Sequence, residues 1–128
     1  MIRTENLFKS FGENEVLKGV STEFYEGKNN LIIGRSGAGK TVLLKLLVGL
    51  FKPTSGKVFY DDVDYFSLNS KQLREVRMKV GMLFQGNALF DSMSVEENIR
   101  FPLGMFTRMT LKEKRDRVAF CLERVNLE

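Results

Sequence analysis

The stretch LIIGRSGAGKTVLLKLLVGL, Leu31 to Leu50, decides how the chain is read. A short apolar run, Leu31–Ile33, ends in a loop with glycines at 34, 37 and 39, and a strongly apolar segment follows from Lys40 to Phe51. The pattern reads as a short buried strand, a tight loop and a helix with apolar residues on nearly every face. Gly49 weakens the last turn of that helix, and Pro53 and Gly56 stop it. Inside the stretch, GRSGAGKT, Gly34 to Thr41, fits the pattern G-x-x-x-x-G-K-[ST] without mismatch. Gly34, Gly37 and Gly39 are expected to take conformations that a β-carbon forbids, turning successive N–H groups inward onto phosphate oxygens. The helix that starts there adds its dipole and its unpaired N–H groups. Lys40 is expected to reach the β- and γ-phosphates and Thr41 to offer its hydroxyl to Mg²⁺. The expected ligand is a nucleoside triphosphate, ATP in first place, held by Gly34, Arg35, Ser36, Gly37, Ala38, Gly39, Lys40, Thr41 and Val42.

Around this loop the pattern alternates. Ile2–Phe8 and Val20–Tyr25 read as strands separated by a polar turn at Gly12, and KVFYDD reads as another strand running into an acidic turn. SKQLREVRMK is a short polar helix with Ser70 as its cap, and VGMLF, Val80 to Phe84, is a second buried strand. Two capping boxes follow. Ser94 with Glu97 opens a helix that Pro102 is expected to end, and Thr110 with Glu113 opens one that runs to about Asn126. Helix and strand alternate, which predicts an α/β fold with a largely parallel core.

The bulk numbers narrow the function. At 128 residues with net charge +4, the chain fits one domain whose lysines and arginines are spread out, with no basic block of the kind that binds nucleic acid. With no histidine and the single Cys121, neither a transition-metal site nor an intrachain disulfide is expected. No run approaches the ~20 apolar residues of a membrane span, so a soluble, cytoplasmic chain is expected, with a membrane partner still compatible. Cys121 reads as a small core residue, and the methionines at 82, 93, 105 and 109 read as core filling, with an adaptable surface for a partner's helix as the other reading.

Metal-linked hydrolysis at such a loop needs a further carboxylate, commonly at the end of an apolar strand. Asp61, after Val58–Tyr60, stands at such a place and would make the chain a small nucleotide kinase or GTPase. The other reading puts Asp61, Asp62 and Asp64 in a hairpin turn, where acidic residues are favoured.

VGMLFQGNALFDSMSVEENI, around Gln85, resembles the Q-loop region of ABC transporter ATPases, and LFKSFGENEVLKGVS is similar to that family's opening strands. PTSGKVFYDDVDYFSLN is similar to the family's turn after the phosphate-loop helix, so the resemblance spans the whole chain in order. It implies an ABC-type ATPase core of the P-loop NTPase fold, with an antiparallel β subdomain and the start of a helical subdomain. By that resemblance residues 1–85 are the ATP-binding core and β subdomain, and 86–128 begin the helical subdomain. Phe11 would stack on adenine, with Val16 beside the base or ribose, and Phe stands where tyrosine is more usual. Gln85 would bind Mg²⁺ and position the attacking water. The partners implied are a transmembrane permease subunit and a second ATPase in a homodimer. The chain would sit in the cytoplasm, peripheral at the inner face of the cell membrane. FQGNALFDSMSVEENIRFPL looks most like the ATPases of Mla/Mce-type lipid transporters, which implies phospholipid as cargo.

Against that pattern, no Leu-Ser-Gly-Gly-Gln signature, no apolar run ending in Asp-Glu and no switch histidine occur in the 128 residues. The resemblance therefore implies the N-terminal part of a nucleotide-binding domain that binds ATP and does not hydrolyse it alone. A complete, non-hydrolysing nucleotide-binding module is the competing expectation.

Overall fold

Gly12, at φ 60°, allows a two-residue turn that returns the chain on itself, and Phe11 pairs with Asn14 across it. The computed structural model describes residues 1–86 and 88–127; Asn87 of the Q-loop stretch and Glu128 lie outside the described residues. Strand β1 (Ile2–Phe11) pairs antiparallel with β2 (Asn14–Phe24) on one edge and with β3 (Ser55–Tyr60) on the other. A short β4 (Val63–Asp64) completes a four-stranded sheet in the order β2-β1-β3-β4. Helix α1 (Lys40–Leu47) packs Leu43, Leu46 and Leu47 onto this sheet, where Leu7, Leu17, Val58 and Tyr65 complete the buried cluster.

The C-terminus of α1 shows why the helix stops before Phe51. Leu50 N–H donates to Lys45 O at 2.8 Å and Gly49 N–H to Leu46 O at 3.1 Å, with Gly49 at φ 74°. This is a Schellman ending, so Gly49 terminates the helix rather than weakening it. The phenol of Tyr60 donates to Leu47 O at 2.7 Å and that of Tyr65 to Val48 O at 3.2 Å. Arg77 reaches Gly49 O at 3.3 Å from helix α2 (Ser70–Met78). These donors satisfy carbonyls that a helix end leaves unpaired.

The core expected to be largely parallel is antiparallel among the described residues. No parallel pair occurs among the described strands. Residues 29–35 and 80–84 carry no strand, with Leu31 85% and Leu83 97% exposed. Apolar character alone does not make a strand; it needs a hydrogen-bonded neighbour, and these runs have none among the described residues. Helix α1 buries one face only, since the sheet covers one side and Leu44 stays 43% exposed. Asn69 rather than Ser70 caps α2, because Gln72 three residues on closes a reciprocal capping box with it.

The chain divides into two units, residues 1–82 and 83–128. In the second, α3 (Val95–Phe106) and α4 (Leu111–Arg124) start at the expected boxes of Ser94–Glu97 and Thr110–Glu113. Pro102 does not end α3. The helix runs through it to Phe106, and the hydroxyl of the capping Thr107 donates to Leu103 O at 2.6 Å, while the Phe101 ring just before the proline lies with its centroid 4.8 Å from that of Phe90. Asn98 ties the segment ahead of α3 down by donating to Phe90 O and Met93 O, each at 3.1 Å. Glu96 joins the two helices, with Arg115 3.5 Å away. Val118 is buried, but Met105 and Met109 are exposed and Met93 is half-buried, so these methionines do not fill a core.

Candidate functional site

The loop between residues 34 and 39 is shaped by two glycines. Gly37 and Gly39 have φ of 76° and 87°, in the left-handed region that side chains avoid. At Gly39 space also decides. A β-carbon there would meet Leu17 Cδ2 at 2.8 Å and Val16 Cγ1 at 3.1 Å, so β2 closes directly on the loop. Gly34 is different from the expectation: its φ is outside that region, and a β-carbon would make ordinary contact with Ala38 at 3.5 Å. Neither backbone conformation nor space therefore requires a glycine at 34.

Ala38 N–H turns back to Arg35 O at 3.2 Å, and Gly39 O accepts the first helical bond from Leu43 N–H at 2.8 Å. No side chain caps α1, and its first turn holds no carboxylate. The N–H groups at this end therefore have no anionic side chain competing for them, which suits an anionic ligand. Lys40 curls over the loop, its ammonium donating to Gly34 O and Arg35 O at 2.7 Å each. These bonds hold the positive charge at the mouth of the cradle. Thr41 is exposed on the first turn, and Val42 is half-buried against the core.

Val16 and Phe11 come from the same sheet. Val16 Cγ1 lies close against the Gly39 position. Phe11 ends β1 and is 44% exposed. Sequence reasoning missed the neighbours that hold these residues: Leu17 beneath Gly39, and Phe51, whose ring centroid lies 5.4 Å from that of Phe11 at 72°. Such contacts leave no local signal, because they join residues distant along the chain. Gln85 belongs to the second unit, exposed on a bend before Gly86 at φ 114°.

Asp61 is resolved between its two readings. Asp61 and Asp62, at φ 47° and 66°, form the turn of the β3–β4 hairpin, where Tyr60 pairs with Val63. The Asp61 carboxylate is bound by the Met1 ammonium, which holds it below the usual carboxylate range. No group of three or more potential metal ligands exists among the described residues. None of the described helices is long and apolar enough to cross a membrane.

A family model described as ABC transporter matches residues 17–128. The "Probable ribonucleotide transport ATP-binding protein mkl" of Mycobacterium leprae is 38% identical over 98% of this chain, which covers 36% of that protein. The "Intermembrane phospholipid transport system ATP-binding protein MlaF" of Haemophilus influenzae is 36% identical over 99% of the chain, covering 48% of its own length. Among solved structures, the dimeric post-hydrolysis state of the ATP-binding cassette MJ0796 bound to ADP and Pi superposes with TM-score 0.87 at 33% identity. It is covered over 100% of this chain and 58% of that one. The chain thus spans about a third to a half of the length of these curated relatives.

Proposed function

The chain belongs to the ABC transporter family, and on that premise we propose that it is the nucleotide-holding portion of an ATP-binding subunit that couples ATP binding and hydrolysis to transport. The observation that carries this is the cradle itself. Gly37 and Gly39 bend a loop into the uncapped start of α1 while Lys40 closes over it. Residues 34–42 hold the phosphates through their N–H groups, and Lys40 supplies the charge that draws the β- and γ-phosphates in. Thr41 offers its hydroxyl to Mg²⁺; for Gln85, in the second unit, the Mg²⁺ and water-positioning roles rest on the family likeness alone. Phe11 stacks on adenine and Val16 flanks the base or ribose.

Residues 1–85 are proposed as the ATP-binding core with its β subdomain and 86–128 as the start of the helical subdomain. A permease in the membrane and a second copy of the full-length ATPase are the proposed partners, which puts the protein at the inner membrane face. The names of the relatives, one of them a dimer, support that reading. Phospholipid is the proposed cargo, supported by the likeness to MlaF; mkl and a methionine importer of Rhodococcus jostii are named for other cargo at 38% and 39% identity. ATP-dependent lipid transfer by the full-length protein with its permease in vesicles supports the phospholipid assignment. Methionine or ribonucleotide uptake by the same vesicles contradicts it.

Hydrolysis needs groups that stabilise the charge developing at the γ-phosphate, and no signature sequence or strand-end Asp-Glu stands in these 128 residues. The 128-residue chain is therefore expected to bind MgATP and show no steady turnover above its Lys40→Ala variant. Turnover that Lys40→Ala abolishes contradicts this.

A further inference from the structure

We propose that Phe51 is a positioning residue for nucleobase recognition, holding the ring of Phe11 in the orientation that stacks on the base. The inference rests on the reading of Phe11 as the base platform. Phe11 is the last residue of β1 and borders the tight turn at Gly12, so its own strand braces it from one side only. Phe51 follows the Schellman ending of α1 and packs against the core, which makes it the better anchored of the two rings. The rings meet edge to face, with centroids 5.4 Å apart at an interplanar angle of 72°.

A cation reinforces the pair. Lys9 Nζ lies 4.9 Å from the Phe11 centroid and 5.7 Å from that of Phe51. The same ammonium donates to Lys52 O at 2.8 Å, tying β1 to the segment that carries Phe51. Lys45 adds a second ammonium 5.3 Å from the Phe51 ring. Phe11 is still 44% exposed, so the bracing leaves surface for a ligand. A ring held beforehand loses less rotational freedom when a base lands on it, and that difference appears as affinity.

The test compares MgATP with Mg-tripolyphosphate, which has the phosphates but no base, by calorimetric titration of the 128-residue chain. Phe51→Leu keeps apolar bulk without an aromatic edge. It is expected to weaken MgATP about 3- to 10-fold and leave tripolyphosphate unchanged, while Phe51→Tyr keeps the wild-type ratio. Phe11→Ala is expected to lower the same ratio at least as far. If Phe11→Ala shifts the ratio and Phe51→Leu does not, the positioning role is overturned while the platform stands. Equal weakening of both ligands by Phe51→Leu also overturns it, as a general loss of structure. An unchanged ratio in Phe11→Ala overturns the platform, and the inference with it.

Discussion

The phenol of Tyr60 donates a 2.7 Å hydrogen bond to the carbonyl of Leu47, joining strand β3 to the last residue of the helix that begins at the phosphate loop. Only the protonated phenol can donate this bond. Burial, with Tyr65 adding to it, pushes the Tyr60 hydroxyl from the ordinary 10 up to about 12. Because the folded value is raised, the stabilisation is complete below pH 10 and is lost as pH climbs through about 12. Urea melts at rising pH are expected to show stability falling across that window. Tyr60→Phe is expected to be less stable at neutral pH and to lose most of this alkaline limb; an unchanged limb in the variant contradicts the assignment.

Gly39 and Gly37 separate two effects that glycine combines. At Gly39 a β-carbon would both strain the backbone and press on Leu17 and Val16. Gly39→Ala is expected to cost about 2–4 kcal/mol and to abolish nucleotide binding. At Gly37 nothing lies within 4 Å, so Gly37→Ala meets strain alone and is expected to cost about 1 kcal/mol. Chemical melts of the two variants check the order, and equal costs would remove the packing argument at Gly39.

Gly49 makes the corresponding prediction at the other end of α1. A β-carbon there would overlap the Tyr65 ring, which is buried and receives a bond from Arg77 Nε at 3.1 Å. Gly49→Ala is expected to cost about 3 kcal/mol, and Tyr65→Phe about 1 kcal/mol through the lost hydroxyl bonds. Thermal denaturation of both variants tests the ranking.

In the second unit, Ser94→Ala and Thr110→Ala are each expected to cost about 1 kcal/mol of helix stability. The capping bonds lower the carboxyls of Glu97 and Glu113 below their ordinary value of 4.5. With the folded values depressed, that stabilisation is present above pH 4.5 and disappears as pH falls through the lowered values. Circular dichroism against pH is expected to show helix loss on the acid side, diminished in the double variant.

What the sequence made legible was local. The Ser94 and Thr110 boxes, the turn at Gly12 and the glycine–lysine loop each complete their signal within a few residues, and each stands in the structure. Asn69 and Ser70 have equal capping tendency, and it is Gln72, three residues after Asn69, that decides between them. Leu31–Ile33 and Val80–Phe84 carry no strand, because an apolar run reports burial preference and says nothing of which strand lies beside it. The fit of Val16 against Gly39 and the pairing of Phe51 with Phe11 were illegible for the same reason. Both depend on where β1 and β2 fold over α1, which no window of the sequence contains.

On the proposed function, Lys40 and the loop it closes over hold the phosphates of ATP. Calorimetric titration of the 128-residue chain with MgATP, beside Lys40→Ala, tests it most directly. A single binding event is expected in the wild-type chain, weakened at least about tenfold by the substitution, a loss of about 1.4 kcal/mol or more. Equal affinities for the two proteins, or no binding by a folded wild-type chain, would contradict it.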